Sequence, residues 1–157
     1  MVQRKLPGTA LSDRQKSLTQ QELQAVFRQA GEILSKIHSI KVNGFYKRQA
    51  DGSWDFATWQ KVMISALKDR AAEKTFILAS GFSEIEFNVM LGLLKKYKDE
   101  FACDQPVLCH GDFLPDHIFV DDHLVISGII DFGEFQGGPP IHDFARLSFE
   151  HPEINLG

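Results

Sequence analysis

The sequence predicts an α+β chain, mostly helical, with one small β element. Three observations lead there. Two Ser/Thr-x-x-Glu pairs each precede apolar residues at helical spacing. After Pro106 the pattern changes to short apolar runs separated by turn residues. The length, 157 residues with 43% hydrophobic content, supports one domain with a real core and argues against wholesale disorder.

Residues 1–18 are polar and include Pro7-Gly8, which reads as an extended linker. Thr19 and Glu22 then form a capping-box pair. Leu23, Val26, Phe27, Ala30, Ile33, Leu34 and Ile37 make one apolar stripe, predicting a helix that ends near His38. His38 itself reads as a helix-end residue. Lys41 to Ser53 reads as a loop, with Asn43-Gly44 and Asp51-Gly52 as turn signals. A second helix is expected from about Asp55 to Glu73, with Phe56, Trp59, Met63 and Leu67 inward. Ser83 and Glu86 open a third, carrying Phe87, Met90, Leu91, Leu94 and Tyr97. Lysines at its end suit the helix dipole. Val107-Leu108-Cys109 is a short apolar run. Ile118-Phe119-Val120 and Leu124 to Ile130 read as a hairpin turning at Asp121-Asp122-His123. Gly137-Gly138-Pro139-Pro140 reads as a loop and Ile141 as the start of a helix.

The net charge of −4 conceals an asymmetry. From His110 onward there are nine acidic residues and one arginine, whereas Met1 to Cys109 holds twelve acidic and sixteen basic residues. Five of the six histidines also fall from His110 onward. Such a segment repels phosphate backbones, which argues against nucleic acid, and suits divalent cations or cationic ligands. No apolar run approaches the roughly 20 residues that span a bilayer, and the first residues show no signal-peptide core, so no membrane role is expected. Two cysteines, Cys103 and Cys109, do not make a disulfide framework; they read as small core residues of a reduced, cytoplasmic protein.

Chemistry concentrates between His110 and Asp143. His110-Gly111-Asp112 precedes the expected hairpin, Ile130-Asp131-Phe132-Gly133 follows it, and His117 lies between. Carboxylates before and after one hairpin can converge on one cavity. Phosphoryl transfer uses such a pair: one orients or deprotonates the attacking hydroxyl and the other holds Mg²⁺ against nucleotide phosphates. Either triplet alone is weak; their order and the apolar runs between them make the signal. Asp116, Asp121 and Asp122 read as surface or turn residues, His123 as a solvated turn residue, and His142 as a loop or cap residue. Glu134 is placed to face the cleft.

The stretch HGDFLPDHIFV followed by GIIDFGEFQGGPPIHDFA resembles the aminoglycoside phosphotransferase/choline kinase family, which has a protein-kinase-like fold. It is most similar to the branch with aminoglycoside 2″-phosphotransferases and macrolide phosphotransferases, which carry histidine at the position of His117. The segment Lys5 to Leu11 also resembles the family's stretch just after the inter-lobe hinge. The resemblance implies the C-terminal lobe of that fold, with residues 1–18 as post-hinge linker and 19–157 as the lobe. The small hairpin would carry the catalytic loop and the Asp-Phe-Gly motif. It implies Asp112 as catalytic base, and His117 and Asp131 as nucleotide-side and metal-facing residues. His110 and Asp143 would be structural supports, Asp143 by bonding the catalytic-loop backbone. It also implies Mg²⁺, ATP or GTP as donor, and a small-molecule hydroxyl as acceptor. The acidic surroundings fit a cationic aminoglycoside and fit Mg²⁺ alone. For His117, closeness to the metal is expected rather than direct ligation, since histidine is a poor Mg²⁺ ligand.

A kinase-type site also needs a Gly-rich loop and a strand lysine over the phosphates. No G-x-G-x-x-G precedes Asp112, and the chain from Met1 to Cys109 reads as linker and helices without a sheet. The expectation is a fragment whose N-terminal lobe is absent, inactive alone. Two other readings stand beside it: a non-catalytic remnant serving as a binding module, and an HD-type metal phosphohydrolase built on His110, Asp112, His142 and Asp143.

Overall fold

The structure, a computed structural model, describes residues 5–99 and 103–150, with side chains through 145. Helix α2 (Gln20–His38) organises the core. Thr19 Oγ1 accepts the Glu22 N–H and the Glu22 carboxylate accepts the Thr19 N–H at 2.8 Å, closing the predicted capping box. One turn apart on its inner face, Val26, Ala30 and Leu34 are fully buried against Leu11, Phe113, Ile118 and Val120. Each large side chain buried there contributes about 1.5–3 kcal/mol, so this cluster is the main source of stability.

Two antiparallel sheets flank the core. One has the order β1 (Thr9–Ala10), β5 (Ile118–Val120), β6 (Ile126–Ile129). The β5–β6 pair is the predicted hairpin, with Ile118 opposite Ile129. The other has the order β3 (Trp54–Phe56), β2 (Phe45–Arg48), β7 (Gln136–Gly138), β4 (Val107–Cys109). Helices α3 (Trp59–Ala72), α4 (Lys74–Ala79) and α5 (Glu84–Tyr97) lie between β3 and β4 in sequence, and α6 (Ile141–Glu150) follows β7. Among the described residues, no helix is long and apolar enough to cross a membrane.

Four local expectations are corrected. Thr9–Ala10 pairs with β5, and the short helix α1 (Leu11–Arg14) places Leu11 in the core, so residues 9–14 are packed structure rather than extended linker. The stretch read as a loop at 41–53 contains β2. Asp55 and Phe56, read as a helix start, lie in β3; Asp51-Gly52 is the turn between these strands. The second helix therefore begins at Trp59, capped by Thr58, and breaks at Glu73. Gly137 and Gly138 form a strand because β4 and β2 supply hydrogen-bond partners on both sides. The chain up to Cys109 thus contains strands β1 to β4, not helices alone. Cys109 is a buried thiol and Cys103 a half-buried one, both free.

Candidate functional site

β4 delivers the chain into the loop His110-Gly111-Asp112. Gly111 has φ +86°, and a Cβ there would stand 1.9 Å from the Glu134 carbonyl oxygen, so glycine is required by conformation and by space. The loop backbone is held from below. Asp143, at the start of α6 and fully buried, accepts the Gly111 N–H at 2.8 Å on Oδ1 and the His110 N–H at 2.9 Å on Oδ2. His38 Nε2 reaches the same Oδ2 at 2.8 Å from the end of α2. Burial pushes the Asp143 carboxyl up, but the hydrogen bonds from His38, Gly111 and His110 outweigh it and hold it below the usual carboxylate range. His38 therefore belongs to the support of the loop. The only sequence signal was a histidine ending an apolar helix; its partner lies 105 residues away.

His38, Cys109 and Asp143 bring three metal-ligand atoms within 4.8 Å of one another. Both Asp143 oxygens already accept N–H donors, and burial pushes the Cys109 thiol up to about 12, so it stays protonated. In this fold His38 and Asp143 serve the hydrogen bonding of the loop, and the Cys109 thiol faces the Val107 and Pro139 carbonyls.

His110 is also buried. Its Nε2–H donates to the Ile130 carbonyl at 2.9 Å, and its Nδ1 accepts the Asp112 N–H at 3.3 Å. Those two bonds require one neutral tautomer, in accord with the lowering of its pKa by burial. The ring packs against Phe113 and, at 4.3 Å between centroids, Phe132. His110 thus ties the loop before the hairpin to the segment after it.

Asp131 follows β6 in the left-handed region, φ 64° and ψ 57°. For a residue with a side chain this costs on the order of 1 kcal/mol, and it turns the chain into the 3₁₀ segment Phe132–Glu134. Between the two aspartates stands His117. Its Nδ1–H donates to the Asp112 carbonyl at 2.8 Å; Nδ1 is 3.6 Å from the Asp112 carboxylate and Nε2 is 3.6 Å from that of Asp131. The other ring nitrogen, Nε2, faces Asp131. Asp131 is more than half exposed, whereas His117 and Asp112 are largely covered. One histidine and two carboxylates from both sides of the hairpin are therefore brought together. Asp131 offers the hard oxygen that a metal ion would meet there, with His117 beside it.

Beyond this centre, Glu134 is exposed and paired with Lys47 of β2 at 2.6 Å. The Asp121 carboxylate accepts the His123 and Val125 N–H groups within the hairpin turn, and Asp122 is solvated. The His142 ring contacts the Gln136 amide.

The sequence matches the phosphotransferase enzyme family over residues 1–154. The chain belongs to that family. No curated protein matches it. Among solved structures, family fold and chain agree. A thermostable mutant of aminoglycoside phosphotransferase APH(4)-Ia, bound to ADP and hygromycin B, superposes with TM-score 0.70 at 21% identity, covering 95% of this chain and 49% of its own. A GDP complex of a mutant aminoglycoside 2′-phosphotransferase-IIIa gives 0.67 at 18% identity, with 93% and 48% covered. ADP-bound APH(2″)-Ib gives 0.55 at 19%, with 90% and 46% covered. The phosphotransferase-family chain thus spans about half the length of these structures, and at such identity the likeness concerns the fold.

Proposed function

We propose that this chain is the acceptor-side, C-terminal lobe of an enzyme that transfers a phosphoryl group from ATP or GTP to a hydroxyl of a small molecule. Residues 1–18 would lead from the hinge and 19–157 would form the lobe. The observation that carries the reading is the convergence of Asp112 and Asp131 on His117 across the β5–β6 hairpin. In this proposal Asp112 accepts the proton of the attacking hydroxyl, its position set by the loop that Asp143 and His110 brace. Asp131 would hold Mg²⁺ with His117 close by, and the ion would supply neutralisation of the nucleotide phosphates when bound. The hydrogen bond from His117 to the Asp112 carbonyl keeps both residues in register with that role.

Turnover in this chemistry also uses a Gly-rich loop and a strand lysine over the phosphates, so the chain alone is expected to be inactive. An aminoglycoside-like antibiotic is the first acceptor to try, because structural relatives are described with hygromycin B, streptomycin and gentamicin. The HD-type hydrolase reading loses support from the burial of Asp143, whose oxygens are saturated by N–H donors. A reduced, cytoplasmic setting accords with the two free thiols.

The test is nucleotide turnover by the full-length protein with ATP and with GTP across a panel of hydroxylated acceptors. Asp112→Asn should lower transfer by a factor of about 10² or more while leaving the circular dichroism spectrum unchanged. Full activity in that variant would refute the assignment of Asp112 as base.

A further inference from the structure

One face of the four-stranded sheet carries an aromatic platform outside the centre described above. In β4, Val107 and Cys109 are buried, so Leu108 between them points to the opposite face; it pairs with Gly137. Trp54 lies across that face. A Cβ on Gly44 would stand 2.4 Å from its Cβ and Cγ, and one on Gly137 would stand 3.0 Å from its Cζ3. Glycine at 44 lets the indole lie this close to the sheet, whereas at 137 a Cβ would first meet the Gly44 carbonyl oxygen, at 2.0 Å. The indole N–H donates to Asn43 Oδ1 at 2.9 Å, which fixes the ring's orientation.

Beside the ring runs an open groove of about 500 Å³, lined by Lys41, Arg48, Leu108 and Phe135 in addition to Trp54. Its position matters. Phe135 follows Glu134, whose carbonyl abuts Gly111, and Leu108 stands two residues before His110. Lys47 of the same hairpin is bonded to Glu134. The groove therefore borders the loop that carries Asp112. Its polarity is opposite to that of the acidic segment as a whole. Lys41 and Arg48 are both exposed, no described carboxylate lines the groove, and the nearby Glu134 is already neutralised by Lys47.

An aromatic face of this kind takes a sugar or other ring by stacking, and it would also attract an ammonium group. Two flanking cations decide between these. They repel a polyamine over distances of about 8–10 Å at ordinary salt and attract a carboxylate or phosphate. We infer that this groove receives the part of the acceptor remote from the reacting hydroxyl, and that it selects a hydroxylated ring bearing an anionic group over a polycation. The inference rests on the phosphotransferase reading but departs from its first-named acceptor, since an aminoglycoside is a polycation that Lys41 and Arg48 would repel.

Three matched probes test it: 4-nitrophenyl β-D-glucuronide, β-D-glucoside and β-D-glucosaminide, which share one skeleton and differ in charge. Each is titrated into the full chain while the indole N–H resonance of Trp54, assigned with Trp54→Phe, is followed by NMR. The glucuronide should shift that signal saturably and bind about fivefold or more tighter than the glucosaminide, the glucoside falling between, with the spread shrinking as salt rises. Arg48→Glu, on an exposed side chain, should reverse the order; in Trp54→Ala, followed by calorimetry because the indole reporter is gone, binding of all three should be lost. Absence of saturable glucuronide binding, equal or tighter glucosaminide binding, or an order unchanged by Arg48→Glu would overturn the inference. Transfer assays on the full-length protein separate the two readings. The expected charge order in binding with no transfer to any hydroxyl would refute the phosphotransferase reading and leave the groove standing. Transfer whose acceptor ranking ignores Arg48→Glu would refute the groove.

Discussion

At the scale of single residues, the loop 110–112 is specified by conformation and by hydrogen bonding rather than by charge alone. Gly111→Ala would place a methyl group against the Glu134 carbonyl at a positive φ. It should cost about 2–3 kcal/mol, read as a lower midpoint in urea unfolding with the slope preserved. His110 makes stability depend on pH. Its folded pKa is lowered from 6.5 by burial, so the unfolded chain binds a proton that the folded chain declines. The stabilisation is complete above the unfolded value and is lost as pH falls below it toward the lowered folded value. The melting temperature should therefore decline from about pH 7 to pH 5.5, and the decline should be shallower in His110→Gln. Asp143 acts in a separate, lower window: its folded pKa lies below 3.8, so its contribution is present above that value and fades only in stronger acid.

At the scale of elements, α2 links the core to the site. Its N-terminal capping box and the His38 contact with Asp143 sit at opposite ends, roughly 27 Å apart at 1.5 Å per residue. Thr19→Ala should thus cost about 1 kcal/mol in denaturant unfolding without altering the loop at the other end, which the unchanged chemical shifts of Gly111 would show. This helix was readable because its stripe, cap and length agree with one another. The β2–β3 hairpin was not. Its strands are four and three residues long, and Gly44 and Gly52 read as turn residues on either side of β2. Tyr46, at φ 69°, and the register shift between Phe45 and Arg48 also break the alternation that marks a strand. β7 was hidden for a different reason: two of its three residues are glycines, which carry no pattern, and only pairing with β4 and β2 makes it a strand.

For the whole molecule, burial is uneven. No residue of α3 or α4 is buried and only Phe87 of α5 is, whereas α2 and the β5–β6 hairpin surround the fully buried cluster. Native-state hydrogen exchange should accordingly be slowest at Val26, Ala30, Leu34, Ile118 and Val120, and faster by orders of magnitude in α3 and α4. Equal protection across both regions would contradict this division. The sequence by itself determined the family, the longer helices α2 and α5, the β5–β6 hairpin and the closeness of Asp112, His117 and Asp131. Those depend on capping pairs, short-range periodicity and the spacing of His110, Asp112, His117 and Asp131, all local properties of the chain. Only the tertiary structure decided that His38 supports Asp143, that Lys47 meets Glu134, and that Trp54 reaches Gly137. Each of these joins segments far apart in sequence, where a lone histidine, lysine or tryptophan carries no signal until burial and pairing give it a partner.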